Sequence, residues 1–160
     1  EKLIVRSKTA YDGAIPSGNS VAVMNMVKLT RITGNTKWAE LAEKTIRAFS
    51  EDVNRTPTGY TLMLTGFMFD TQNSKEIVIV GDSRNRNTTK FLHTIRASYA
   101  PHKVLLFKDT SVSDNRLEQL ANWTSTQNSI NGKPTAYVCK NFACNQPTSD
   151  IQTALSFINE

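Results

Sequence analysis

Three stretches of this 160-residue chain hold side chains that could do chemistry. The first is Tyr11-Asp12-Gly13-Ala14-Ile15-Pro16-Ser17-Gly18-Asn19-Ser20, where a carboxylate stands near two hydroxyls and an amide. An aspartate on a loop beside serine and asparagine can hold a network of sugar hydroxyls. Given a partner group, it can also act as an acid or base. Asp12 is therefore the candidate catalytic residue, with Ser17, Asn19 and Ser20 as candidate ligand-binding residues. The competing reading is structural: Asp12 closes a turn, and Asn19 or Ser17 caps the helix that follows. A glycosidase or epimerase would also need a second carboxylate or a histidine across a cavity.

The second stretch is Gly81-Asp82-Ser83-Arg84-Asn85-Arg86, which follows a short apolar run. Ligands of open α/β sheets bind beyond the carboxyl ends of strands, so Asp82 and Arg84 are candidate ligand-binding residues for a phosphate or carboxylate. The loop lacks the glycine spacing of a phosphate cradle, and a plain strand-to-helix loop accounts for it better. The third is the pair Cys139 and Cys144, with four residues between them. That is neither the CxxC redox spacing nor a zinc knuckle, and it suits dithiol exchange poorly. Buried thiols, a disulfide and a ligand contact all remain open for the pair. His93 and His102 have no serine, cysteine or aspartate partner in sequence, so a catalytic triad is not expected. No metal set and no cofactor is expected either.

The elements that must position these groups change character along the chain. Val21, Val23, Met24, Met26, Val27, Leu29 and Ile32 cover more than one helical face, which predicts an inner helix. Gly34-Asn35 ends it. Trp38, Leu41, Ala42, Ile46, Phe49 and Val53 then recur at three and four, and Tyr60 to Phe69 supplies a third helical run. Near residue 74 the period shifts to short apolar runs. Strands are expected at 76–80, 104–108 and 135–138, with helices over 88–99, after Asp114, and over 149–158. Crossovers of this kind predict a parallel sheet. The fold expected is mixed α/β, with a helical segment over 1–73 and a small three-stranded parallel unit over 74–160.

Composition bounds the rest. A hydrophobic fraction of 39% and a charged fraction of 21% are those of a folded globular chain. The net charge of +5 comes from scattered Lys and Arg, with Arg84 and Arg86 the nearest thing to a cluster, so nucleic acid is not expected as a partner. No apolar run approaches a membrane span, so no membrane partner is expected; the compartment expected is cytoplasmic. Sequons at Asn54, Asn87 and Asn122 would matter only in a secretory chain. The start Glu1-Lys2-Leu3-Ile4-Val5 reads as an interior cut.

Two strings, Tyr11 to Ser20 and Tyr137-Val138-Cys139-Lys140-Asn141-Phe142-Ala143-Cys144, resemble the C-terminal part of the YyaL/spermatogenesis-associated family. The likeness extends through the Gly34 turn and the Ile77-Val78-Ile79-Val80-Gly81 strand. It implies a parent with an N-terminal thioredoxin-like domain and an α/α toroid similar to N-acylglucosamine 2-epimerases and six-hairpin glycosidases. Residues 1 to about 70 would then be the last α-hairpins of that toroid. The implied parent is carbohydrate-active or sugar-binding, its activity not established, and whether it is an enzyme stays open. The alternatives are a scaffold presenting the thioredoxin-like domain and a purely structural C-terminal domain. The partners expected are the missing N-terminal portion of the same polypeptide, a small polar or sugar ligand, and a second copy of the fragment. Alone, the fragment is expected to be catalytically silent.

Overall fold

The computed structural model describes residues 8–72 and 74–160, which form two compact units. The first unit contains the described residues up to Thr30 together with Asn35–Gln72; the second contains Arg31–Gly34 and the described residues after Gln72.

In the first unit, α1 (Gly18–Thr33, its last residues counted with the second unit) is followed by α2 (Thr36–Ala48), α3 (Ser50–Arg55) and α4 (Thr61–Thr71). A short 3-10 turn, Pro57–Gly59, precedes α4. The middle helix expected over 38–53 is thus broken. At Phe49 the backbone leaves the helical region (φ −114°, ψ 7°), and its N–H closes back on Arg47 and Ile46 carbonyls. Phe49 and Val53 still pack on the same core as Ile46, a core centred on Ala10, Val23 and Met63. The α1 and α4 backbones approach closely at Gly66, where a Cβ would stand 2.9 Å from Val23 Cγ1 and 3.4 Å from Met24 N. Only a residue without a side chain permits that approach.

The second unit is a four-stranded sheet in the order β2-β1-β3-β4, made of β1 (Lys75–Gly81), β2 (Lys103–Asp109), β3 (Thr135–Lys140) and β4 (Ala143–Cys144). Three helices accompany it: α5 (Arg86–Ala97), α6 (Arg116–Leu120) and α7 (Ile151–Asn159). β1 and β2 are parallel, as the crossover through α5 requires. β3, however, runs antiparallel to β1, which corrects the expectation of three parallel strands.

The two connections differ in what they contain rather than in reach: residues 82–102 lie between β1 and β2, and residues 110–134 between β2 and β3. To start a parallel strand the chain must travel back along β2, seven residues or roughly 23 Å. The twelve residues of α5 rise about 18 Å and accomplish this after β1. The second connection holds only the five-residue α6, a 3-10 turn at Asn122–Thr124 and irregular chain, and β3 begins at the carboxyl end of β1, with Thr135 opposite Val80. A hairpin then adds β4 antiparallel to β3, a strand the sequence reading did not anticipate.

One sheet face, with Ile77, Ile79, Ala136 and Val138, packs on Phe91, Leu92 and Ile95 of α5 and on Ala154 and Ile158 of α7. Helix α5 is capped by Asn85, whose side chain accepts the Asn87 N–H, and α7 by Asp150, which accepts the Thr153 N–H. The opposite face carries Glu76, Val78 and Val80, and every residue of β1 after Lys75 is buried. Segment 121–128 lies over this face: the Tyr137 hydroxyl donates to Asn128 O (2.8 Å), and Lys108 Nζ donates to Gln127 O (2.8 Å).

Candidate functional site

Both oxygens of Asp12 are engaged by backbone N–H groups. Its Oδ1 accepts the Ser17 N–H (2.9 Å), and its Oδ2 accepts the N–H groups of Leu62 (2.9 Å) and Met63 (3.2 Å). Its own N–H donates to Gly59 O at 2.7 Å. The first N–H groups of a helix have no intrahelical acceptor, and Tyr60, at the N-cap of α4, offers no side-chain bond. Asp12 supplies the missing cap from a distant loop. Burial acts to raise its carboxyl pKa, but the Ser17, Met63 and Leu62 amides and the Ser20 hydroxyl outweigh it and hold the group below its ordinary value.

Ser17 is the N-cap of α1. Its Oγ accepts the Ser20 N–H (3.1 Å) and donates to Ser20 Oγ (2.9 Å), while Ser20 Oγ donates to Ala10 O (3.3 Å). Asn19 does not cap; its Nδ2 donates to Thr9 O at 2.6 Å. The structure therefore brings Asp12, Ser17 and Ser20 into one buried hydrogen-bonded cluster, with the half-buried Asn19 at its margin.

Asp82 and Arg84 sit together on the loop after β1 and engage each other. The Arg84 N–H and Nε both reach Asp82 Oδ1 (2.8 and 3.1 Å), and Nη2 reaches Oδ2 (3.1 Å). Asp114 and Arg116 repeat the arrangement with the same spacing. Bonding by Arg84 holds the Asp82 carboxyl below its ordinary value, and both side chains are exposed. Asp109, not singled out in the sequence, ties the ends of β1 and β2 together by accepting the Ser83 N–H (3.1 Å) and the Ser111 N–H (2.9 Å). These bonds leave the loop stitched to itself.

Cys139 and Cys144 form a disulfide across the β3–β4 hairpin, which resolves the alternatives the spacing left open. They face each other directly in the register. The neighbouring bond from Asn145 N–H to Val138 O (2.9 Å) makes theirs the non-hydrogen-bonded pair, where side chains lie closest. The turn between them, Asn141-Phe142, has both residues at positive φ (51° and 63°), the conformation of a two-residue type I′ hairpin.

Glu76 holds that turn in place. Its Oε2 accepts the Phe142 N–H (3.1 Å), and its Oε1 accepts Arg31 Nη1 (3.1 Å), which also donates to Asn141 Oδ1 (2.6 Å). Phe142 packs edge-on against Trp123 at 5.3 Å. Glu76 is wholly buried, and burial raises its carboxyl above its ordinary value against the opposing pull of Phe142 and Arg31. Sequence reading passed over Glu76 and Arg31. The available signal was a carboxylate entering a strand otherwise apolar on both faces, since such a charge demands a partner. His93 is exposed on α5, and among the described residues no group of three or more His, Cys, Asp or Glu could hold a metal ion. No helix among them is long and apolar enough to cross a membrane.

The chain is homologous to the C-terminal portion of spermatogenesis-associated protein 20. It is 35% identical to the Homo sapiens protein and 33% identical to the Rattus norvegicus protein, each over 148 residues. Those alignments cover 92% of this chain and 19% of the relatives, so the chain spans about a fifth of the length of the curated proteins it matches. The uncharacterized protein B0495.5 of Caenorhabditis elegans is 27% identical over 168 residues, covering all of this chain and 21% of that protein. No protein-family model matches the chain. No solved structure matches it either.

Proposed function

We propose that this chain is a structural C-terminal module of a longer spermatogenesis-associated protein 20-type polypeptide, and that Asp12 clamps helix starts rather than exchanging protons with a substrate. The observation that carries this reading is the engagement of both Asp12 oxygens by three backbone N–H groups. A general acid needs a proton near neutrality, and a carboxyl held below its ordinary value has none to give. The same amide bonds that hold the carboxylate ionised also make it a weaker proton acceptor.

The finer reading, a carbohydrate-active parent built on an α/α toroid, rests on the family resemblance. In that reading Asp12 fixes the starts of α1 and α4, Asn19 is the group left near the surface to meet a sugar hydroxyl, and the remaining catalytic groups come from other parts of the polypeptide. Calorimetric titration of the full-length protein with a panel of mono- and disaccharides, repeated on Asp12→Asn and Asn19→Ala, tests both levels. The proposal expects Asp12→Asn to lower thermal stability with no change in any sugar affinity detected. A folded Asp12→Asn protein that loses turnover of a sugar, with stability unchanged, would overturn it.

A further inference from the structure

Glu76, Cys139 and Cys144 lie in one row across three adjacent strands. Glu76 is the register partner of Cys139, and Cys139 is the register partner of Cys144. Directly opposed residues point to the same face, with Cβ atoms typically about 4.5–5.5 Å apart. The row is graded in exposure: Glu76 and Cys139 are 0% and 1% exposed, while Cys144 is exposed on β4, the edge strand of the sheet. The inner cysteine thus has a buried glutamate directly across the ladder, and the outer cysteine lies on the open edge.

A second buried group attends the outer sulfur. Gln127, 4% exposed, directs Nε2 at Cys144 Sγ at 3.9 Å, and its buried Oε1 has no partner among the described residues. An amide N–H aimed at sulfur stabilises a thiolate there more than a thiol or a disulfide. A carboxylate beside Cys139 has the opposite effect, since a second negative charge in a buried place is disfavoured. The two cysteines are therefore made unequal by their surroundings.

We propose that Cys139 and Cys144 form a thiol–disulfide exchange site for small-molecule or protein disulfides. In it Cys144 is the exposed nucleophile, Gln127 stabilises its thiolate, and Glu76 takes the proton from Cys139. Starting from the reduced pair, the Cys144 thiolate attacks one sulfur of an external disulfide RS–SR. A bond forms between Cys144 Sγ and that sulfur, and the other sulfur leaves as RS⁻. Cys139 then passes its proton to the Glu76 carboxylate and attacks Cys144 Sγ. The mixed disulfide breaks, a second RS⁻ leaves toward the solvent side of the edge strand, and Glu76 returns the proton to solvent. Two electrons pass from the chain to RS–SR, giving two RSH and the Cys139–Cys144 bond seen here. Reduction by a dithiol follows the same steps in reverse. The wide sequence spacing is no obstacle, because the hairpin brings directly opposed residues together where a CxxC motif would use one helical turn.

The site extends beyond the structural role proposed for the chain and does not depend on Asp12. Its test is to reduce the chain, remove the reductant, add glutathione disulfide, and quench with acid at intervals for mass analysis. The wild-type chain is expected to pass through a glutathione adduct on Cys144 and close to the internal disulfide. Glu76→Gln, which keeps an acceptor for Arg31 but no base, is expected to accumulate that adduct, with ring closure slowed about a hundredfold. Gln127→Leu is expected to slow adduct formation about tenfold, the loss of one bond to a charged sulfur. Unfolding rates measured in denaturant on the same variants separate these effects from loss of structure. If Glu76→Gln fails to fold, Cys139→Ser and Cys144→Ser decide: the first should form a stable adduct on Cys144, and the second should leave Cys139 unmodified. An adduct on Cys139 in the folded chain overturns the proposal. So does ring closure at the wild-type rate in a folded Glu76→Gln chain, or adduct formation at the wild-type rate in Gln127→Leu.

Discussion

The Asp12 carboxylate accepts the backbone N–H of Met63, 51 residues further along the chain, and so caps a helix to which it has no local connection. Capping from a distance joins the loop before α1 to the start of α4. We predict that Asp12→Ala destabilises the chain by about 2–4 kcal/mol, because it removes a cap and leaves buried N–H groups without acceptors. Asp12→Asn, which keeps a carbonyl oxygen, should lose about half as much. Urea unfolding followed by circular dichroism measures both.

The same bonds set an acid limit. A carboxyl whose pKa is lower in the folded chain than its ordinary 3.8 contributes stability that is complete above that value. The contribution is lost as the pH falls from 3.8 through the folded value. Asp12→Asn should therefore flatten the stability profile in that acidic window and leave its shape near neutrality unchanged. Thermal melts at a series of pH values check this.

Glu76 should act in the opposite sense. Burial raises its carboxyl above the ordinary 4.5, so the folded chain holds the proton more tightly than the unfolded one. Its contribution to stability falls as the pH rises from 4.5 through the folded value. Replacing Arg31 by Met strands the carboxylate and should cost about 3–5 kcal/mol, whereas Arg31→Met with Glu76→Met should recover a good part of that. A double-mutant cycle by denaturant unfolding gives the coupling.

Gly66 marks where the α1 and α4 backbones meet. A methyl group there would stand 2.9 Å from Val23 Cγ1, too close to be accommodated without movement. Gly66→Ala should cost about 1–2 kcal/mol, the strain exceeding the gain in helix propensity. Combining it with Val23→Ala should cost less than the two single changes added together, which calorimetric melting temperatures can show.

How far the sequence disclosed this arrangement depended on the range of the interaction. The apolar run Ile77-Val78-Ile79-Val80 marked a strand buried on both faces, and Asp150 and Asn85 cap helices within two or three residues, so these features are local. The direction of β3 had no such local mark, since residues 110–134 are long enough to reach either end of the sheet. It was misjudged by treating every strand–helix–strand unit as a crossover. The Asp12 partners, at separations of 50 and 51 residues, have no periodic signature, because backbone N–H groups are common to every residue. The disulfide was equally hidden. Only the two-residue turn at Asn141-Phe142 places the cysteines opposite each other, and Phe142 is a residue type that rarely adopts a positive φ.

The most direct test of the clamp is native-state hydrogen exchange at the Leu62 and Met63 amides, compared between the wild-type chain and Asp12→Ala. If Asp12 is a structural cap, both amides are protected in the wild type and lose protection in the variant, while amides of β1 and β3 keep theirs. Unchanged protection at Leu62 and Met63 in a folded Asp12→Ala chain would contradict the account and return Asp12 to the role of a group held ready for substrate.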